Sequence, residues 1–283
     1  MRILTLAALA ASALACLEAA AREEPLWEAG LGVAGLHFPH YRGSSQSRGY
    51  VLPAPYFVYR GDFLKADRHG LRGIFLRTER LDLNLSVGAS LPVDSSDNRA
   101  REGMPDLEPS VEIGPSLDVL LWCGDDRRLR LDLRLPVRAA FTVESDPRFI
   151  GGQFFPHLNL DVHEPLGLRG WNLGLLAGPV FTDARNNRHF YAVSPGEATA
   201  LRPAYAAPGG GYGGAQFLAA LSKRYPRFWV GAFARYDTLR GAAFESSPLV
   251  TSKRYLAGGI AISWILGESQ RRVPVDEYGD APR

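Results

Sequence analysis

The chain has 283 residues, with 32 Lys+Arg against 30 Asp+Glu and a formal net charge of +2. A balance this close gives no general electrostatic grip on nucleic acid, which needs a basic face. Beyond the N-terminus no window of about 18 uncharged apolar residues exists, so no transmembrane helix is indicated, and 30 Gly, 20 Pro and 11% aromatics favour strands and turns over helices.

The N-terminus reads as an export signal. Arg2 is a minimal positive region, residues 3–17 are apolar and Ala-rich, and Ala19-Ala20-Ala21 offers a cleavage site before Arg22. Residues 1–21 are therefore expected to be a signal peptide. Cys16 after Ala13-Leu14-Ala15 raises a lipoprotein alternative, although Ala13 stands where a lipobox prefers Leu. The other cysteine, Cys123, reads as a small residue near a turn.

From residue 26 onward the dominant signal is period-two alternation. Strands are expected near 26–38, 49–60, 62–69, 71–78, 80–93, 109–122, 127–143, 153–165, 169–182, 213–224, 227–239 and 254–266. That is about twelve, an even number, as bacterial outer-membrane barrels require. The gaps alternate short and long, apart from a tight turn at Gly70. Short gaps fall at 61, 79, 123–126, 166–168 and 225–226, and long ones at 39–48, 94–108, 144–152, 183–212 and 240–253. Short periplasmic turns and long outer loops have this asymmetry. Trp27, Tyr50, Tyr59, Phe141, Trp171, Phe181, Trp229 and Trp264 lie near strand ends, where aromatic girdles would sit.

The stretch RLRLDLRLPVR, residues 128–138, carries the sharpest version of the pattern. Its leucines are expected to face lipid. Arg130, Arg134 and Arg138 are expected to face the lumen, where Glu112, Asp118, Asp132 and Asp161 could meet their charge. A soluble sandwich would instead bury the same leucines against a second sheet. Pro53, Pro55, Pro115, Pro136, Pro156 and Pro179 stand against a closed barrel, because proline cannot donate to a ladder. Bulges, strand ends or incomplete closure would accommodate them. The polar residues 267–283 read as a disordered periplasmic tail.

No constellation carries chemistry. His157 and His163 share a strand face but stand about 20 Å apart along it, too far to share a metal. His37 and His40 flank a loop entrance and read as loop polarity. No G-x-S-x-G occurs, and Ser194 lies near His189 and Glu197 only along the chain. Gly209-Gly210-Gly211 with Gly213-Gly214 lacks the Lys-Ser/Thr of a phosphate loop. The expectation is no enzyme, no cofactor and no metal.

HFYAVSPGEA at 189–198 is followed by LRPAYAAPGGGYGG at 201–214, YDTLRGAAFESSPLV at 236–250 and a closing strand. In the N-terminal half stand PHYRGS at 39–44 and PAPYFVYRGDFLKADRHGLRG at 53–73. In this order the motifs resemble the MltA-interacting protein family, also called the MipA/OmpV outer-membrane family. Ala242 and Ala243 depart from the Gly-Asp-Ala common there. The resemblance singles out Phe190, Tyr191, Ser194, Glu197, Pro203, Tyr205, Ser247 and Pro248 as loop-motif residues, none catalytic. It implies a scaffold joining a lytic murein transglycosylase to a murein polymerase, or a porin or adhesin. The expectation is thus an all-β transmembrane antiparallel β-barrel over 22–266, lodged in the lipid bilayer of the outer membrane. It would serve as a non-enzymatic scaffold for peptidoglycan remodelling, with a narrow pore or adhesin as the alternative. The loop 183–212 is expected to fold into the lumen or over the mouth.

Overall fold

The computed structural model describes residues 22–61, 64–67, 70–124 and 128–275. The expected signal peptide, Cys16, His69, the turn residues 125–127 and the end of the tail from 276 lie outside them.

Fifteen strands account for most of the described chain. They are β1 (Arg22–Pro25), β2 (Trp27–Pro39), β3 (Ser47–Arg60), β4 (Leu64–Asp67), β5 (Gly70–Arg77), β6 (Leu81–Ser90), β7 (Ser110–Cys123) and β8 (Leu129–Thr142). There follow β9 (Phe149–Phe154), β10 (His157–His163), β11 (Trp171–Thr182), β12 (Gly211–Arg224), β13 (Phe228–Thr238), β14 (Arg254–Glu268) and β15 (Arg272–Val275). One α-helix, α1 (Ala184–Tyr191), lies between β11 and β12.

Neighbouring strands pair antiparallel in chain order, and β14 returns to β2. The ring closes at β8, which pairs with β9 at its upper end and β10 at its lower end. β11 faces the same two segments from the other side. β9 and β10 therefore act as one strand broken at Phe155-Pro156, and the ring has twelve antiparallel positions. The sequence pattern starts this strand at 153. The structure starts it at 149, because Gly151 and Gly152 hide its alternation.

The wall is inverted relative to a soluble protein. Asp82, Asn84, Asp118, Arg130, Asp132 and Asp161 are buried, while Leu31, Val51, Leu256 and Ile260 are exposed. A barrel with a polar interior and an apolar outer belt has this polarity, and closure pairs the backbone groups that hydrocarbon would leave bare. Two of the eight girdle candidates turn inward instead. Tyr50 lines an internal cavity. Trp229 packs its ring 6.2 Å from Tyr56, which in turn contacts the buried Glu28.

Each proline has its own accommodation. Pro156 occupies the break between β9 and β10, and Pro179 precedes a register shift in the β11–β12 ladder. Pro115 lies in an unpaired stretch of the β7–β8 ladder, and Pro136, paired with Ser116, stands at its edge. Pro53 and Pro55 pair with Val33 and Leu31 in an uninterrupted β2–β3 register. A proline cannot occupy a mutually hydrogen-bonded pair, so both nitrogens face away from β2. On that side, among the described residues, β3 pairs only through Tyr59 and Arg60.

The polar segment after 266 is not disordered at its start. β14 runs on to Glu268, and β15 pairs with β1 in a separate two-stranded sheet. Glu28, fully buried, ties this end together. It accepts from Arg60 and Arg224 at 2.8 Å each, and Arg224 reaches on to Glu268.

Candidate functional site

The long loops meet in one packed cluster over the barrel mouth. Tyr41 comes from the β2–β3 loop, Val93 and Leu107 from β6–β7, Tyr191 and Val193 from β11–β12, and Leu239, Phe244 and Leu249 from β13–β14. These loops leave the ring from widely separated positions, so their junction forms a lid.

Local chemistry builds the β11–β12 part of the lid. Asp183 caps α1 by accepting from the Asn186 N–H at 2.7 Å, and its second oxygen accepts from the Gly152 N–H at 2.7 Å. The cap and the cationic Arg188 near the C-terminal end suit the helix dipole. Gly151, at φ +129, passes beneath the helix where a Cβ would strike Asn186. Glu197 accepts from both the N–H and the hydroxyl of Ser194, at 2.9 and 2.6 Å. The Ser194 hydroxyl is thus engaged in a turn.

The remaining motif residues join loops. Phe190 stands with its ring tilted 6.2 Å from that of Tyr191 and packs against the cluster. Tyr191 donates to the Arg42 carbonyl at 2.9 Å. Ser247 donates to the Tyr191 carbonyl at 2.7 Å. Tyr205 bridges to Val193 and contacts the Ser246 hydroxyl. Pro203 is exposed and Pro248 half-buried.

Two arginines do as much, Arg202 from the 201–214 motif and Arg101 from the β6–β7 loop. Arg202 donates to the carbonyls of Ala100, Glu102 and Glu197. Arg101, 3% exposed, bonds Ser95 and Pro105 and stands over the Tyr41 ring. Burial pushes the Tyr41 hydroxyl up to about 12 and holds the His189 imidazole down to about 4, with Arg101 and Arg148 adding to the latter.

Below the lid the lumen holds a ladder of charge. Arg138 stands 3.5 Å from Glu112. Arg134 lies 3.8 to 4.0 Å from Asp118, Asp161 and Asp132. Arg130 pairs with Asp132 at 2.9 Å. Thus the seven charged residues named from the sequence stand close to one another, at successive levels. His157 bonds the Phe155 carbonyl and His163 bonds Asn172, each at 2.7 Å.

Between lid and ladder is a cavity of about 460 Å3. Its charged lining comprises Arg42, Arg134, Arg138 and Arg235 against Glu108, Glu112 and Asp118. Asp237, fully buried, lies 3.4 Å from Arg42 and 2.8 Å from Arg235 and holds the cavity roof to the wall. This arrangement can bind and orient a polar group.

No curated protein matches the chain. The family model described as MltA-interacting protein MipA matches residues 31–266, from the first full strand to the last, and the chain belongs to that family.

Proposed function

We propose that this protein is an outer-membrane barrel that acts as a non-enzymatic scaffold for peptidoglycan-remodelling enzymes. The family name records an interaction with MltA. A lytic murein transglycosylase is the expected first partner and a murein polymerase the second. The observation that carries the reading is the roofed, ion-paired lumen. It leaves the end surfaces, rather than a channel, as the working parts.

The end opposite the lid would be the periplasmic one. It carries the short turns and the β1–β15 sheet. Its turn between β10 and β11 holds two non-glycine residues in left-handed conformation, Glu164 (φ 52) and Leu166 (φ 54). Leu166 is fully exposed and Leu168 half so. Strained backbone presenting an apolar side chain to water is a feature of contact sites.

The test is mild crosslinking in outer membranes, gentle solubilisation of a tagged protein, and identification of what co-purifies. Recovery of a transglycosylase or polymerase, lost with Leu166→Gly or on removing residues 272–283, supports the scaffold. Recovery of the barrel alone, beside a control complex that crosslinks, rejects it. Steady conductance in a planar bilayer would favour the pore instead.

A further inference from the structure

The lid carries a second hollow, of about 720 Å3, between the β6–β7, β8–β9 and β11–β12 loops. It opens to solvent. Pro105, Ser194, Pro195 and Ala204 on its rim are exposed, whereas Leu107 and Val193 in its floor are buried. The volume falls within the roughly 300–1,000 Å3 usual for ligand sites.

Its floor and walls are fixed by backbone bonds. Val193 and Tyr205 exchange two hydrogen bonds, at 3.0 and 2.9 Å, and Val93 and Leu107 exchange two more, at 2.8 and 3.0 Å. Arg202 ties one wall to the other through the carbonyls of Ala100 and Glu102. A ligand entering here would have little to order, which removes one of the costs of binding.

The charged groups around the hollow differ in what already occupies them. Asp106 accepts from the Ser95 N–H at 2.7 Å, and Glu197 accepts from Ser194. Arg101, on which both acids act, spends its donors on Ser95 and Pro105. These three charges hold the loops. Arg148 and Arg188 are exposed and differently placed. Arg148 has an exposed pair with Glu144 at 3.2 Å, of a kind worth little in water. Arg188 makes no ion pair among the described residues. His189 lines the same hollow, and the charges acting on it are the cations Arg101 and Arg148. The hollow thus offers unspent positive charge beside an apolar floor of Met104, Leu107, Val193 and Tyr205.

A ligand that uses both features needs an anionic group and an apolar body in one molecule. An inorganic anion would leave the floor uncovered, and a hydrocarbon would leave the guanidinium groups unmet. We propose that the hollow binds a small amphipathic carboxylate, its head at Arg188 and Arg148 and its apolar body on Met104, Leu107, Val193 and Tyr205. In the orientation proposed above the hollow faces the cell exterior. Binding by the isolated barrel depends neither on that orientation nor on the scaffold reading.

The probe is 2-naphthoate, measured by equilibrium dialysis against the full barrel in zwitterionic lipid nanodiscs, with empty discs as the blank. We expect one saturable site, with the neutral 2-naphthamide bound about tenfold more weakly for want of a charge-assisted hydrogen bond. Salt at about 1 M, where charges act over only about 3 Å, should weaken the acid and spare the amide. Arg188→Gln should bring the acid down towards the amide and leave the amide unchanged, a split that a purely structural role would not produce. Ala204→Trp and Ala206→Trp, which fill the hollow, should each abolish saturation in barrels whose unheated gel mobility stays native. Equal affinity for acid and amide, an Arg188→Gln effect on both alike or on neither, saturation that survives both tryptophans, or no saturation at all overturns the proposal.

Discussion

Tyr191 and Phe244 stack with ring centroids 3.7 Å apart and planes 8° from parallel. Each is almost wholly buried, although they lie on different loops. The stack is the clasp of the lid. Replacing Phe244 by Ala removes a buried ring, a change that costs about 3–5 kcal/mol in a packed core. The barrel wall does not depend on it, so the loss should fall on lid closure. The expected result is cleavage of 183–210 by trypsin in the variant and not in the parent, with an unchanged far-ultraviolet spectrum. Tyr191→Phe keeps the stack and loses only the bond to Arg42, worth about 1 kcal/mol, and should stay resistant.

Glu28 carries the other end. It is fully buried between two guanidinium groups, at 2.8 Å from each. Removing one member of a buried ion pair strands its partners, at a cost of about 3–5 kcal/mol. Glu28→Gln should therefore lower the temperature at which the barrel unfolds on a gel. Glu28→Gln with Arg224→Met should recover part of that loss, since one stranded cation is gone. No recovery would show that Arg60 alone sets the cost.

The wall was legible because its physics is local. Arg130, Arg134 and Arg138 alternate with leucines, and parity alone assigns them to one face. The motif at 236–250 likewise marks where Phe244 and Ser247 enter the lid. What stayed illegible depends on distant partners. Arg202 bonds carbonyls of the 94–108 loop across about a hundred positions, and the 201–214 motif that contains it does not name those partners. β15 was hidden by polarity: Arg272 to Val275 looks like solvated chain until Arg22 to Pro25 supplies the other strand. The prolines argued against closure as a class. Only the register of β3 separates the two that mark a free edge from those at breaks and bulges.

Lid closure should weaken in acid. Burial holds the His189 imidazole down to about 4, against 6.5 when free. An open lid therefore takes up a proton between these values that the closed lid refuses. By linkage, closure is strongest above pH 6.5 and is lost progressively as pH falls towards 4. The ring is partly open to solvent, so the effect should reach roughly 1–2 kcal/mol, less than full burial would give. His40, also lowered by burial and by Arg48, acts in the same direction. Tryptic cleavage of 183–210 is not readable at these pH values, so the measurement is hydrogen exchange at Val193 and Tyr205, corrected for intrinsic rate. His189→Phe should flatten most of the dependence. An unchanged slope would place the titration elsewhere.

Leu166 separates stability from contact. Its φ of 54 is costly for a side chain with a Cβ and free for glycine. Leu166→Gly should therefore stabilise the turn by about 1 kcal/mol, less the greater chain entropy of glycine when unfolded. The exposed leucine makes no packing contribution that would offset this, being 100% accessible. If the side chain serves a partner rather than the fold, stability and recovery should part company. The variant is expected to unfold at the same or a higher temperature while recovering less transglycosylase or polymerase after crosslinking. Lower stability with unchanged recovery would mean that Leu166 serves the fold, and the contact surface would then have to be sought on the β1–β15 sheet.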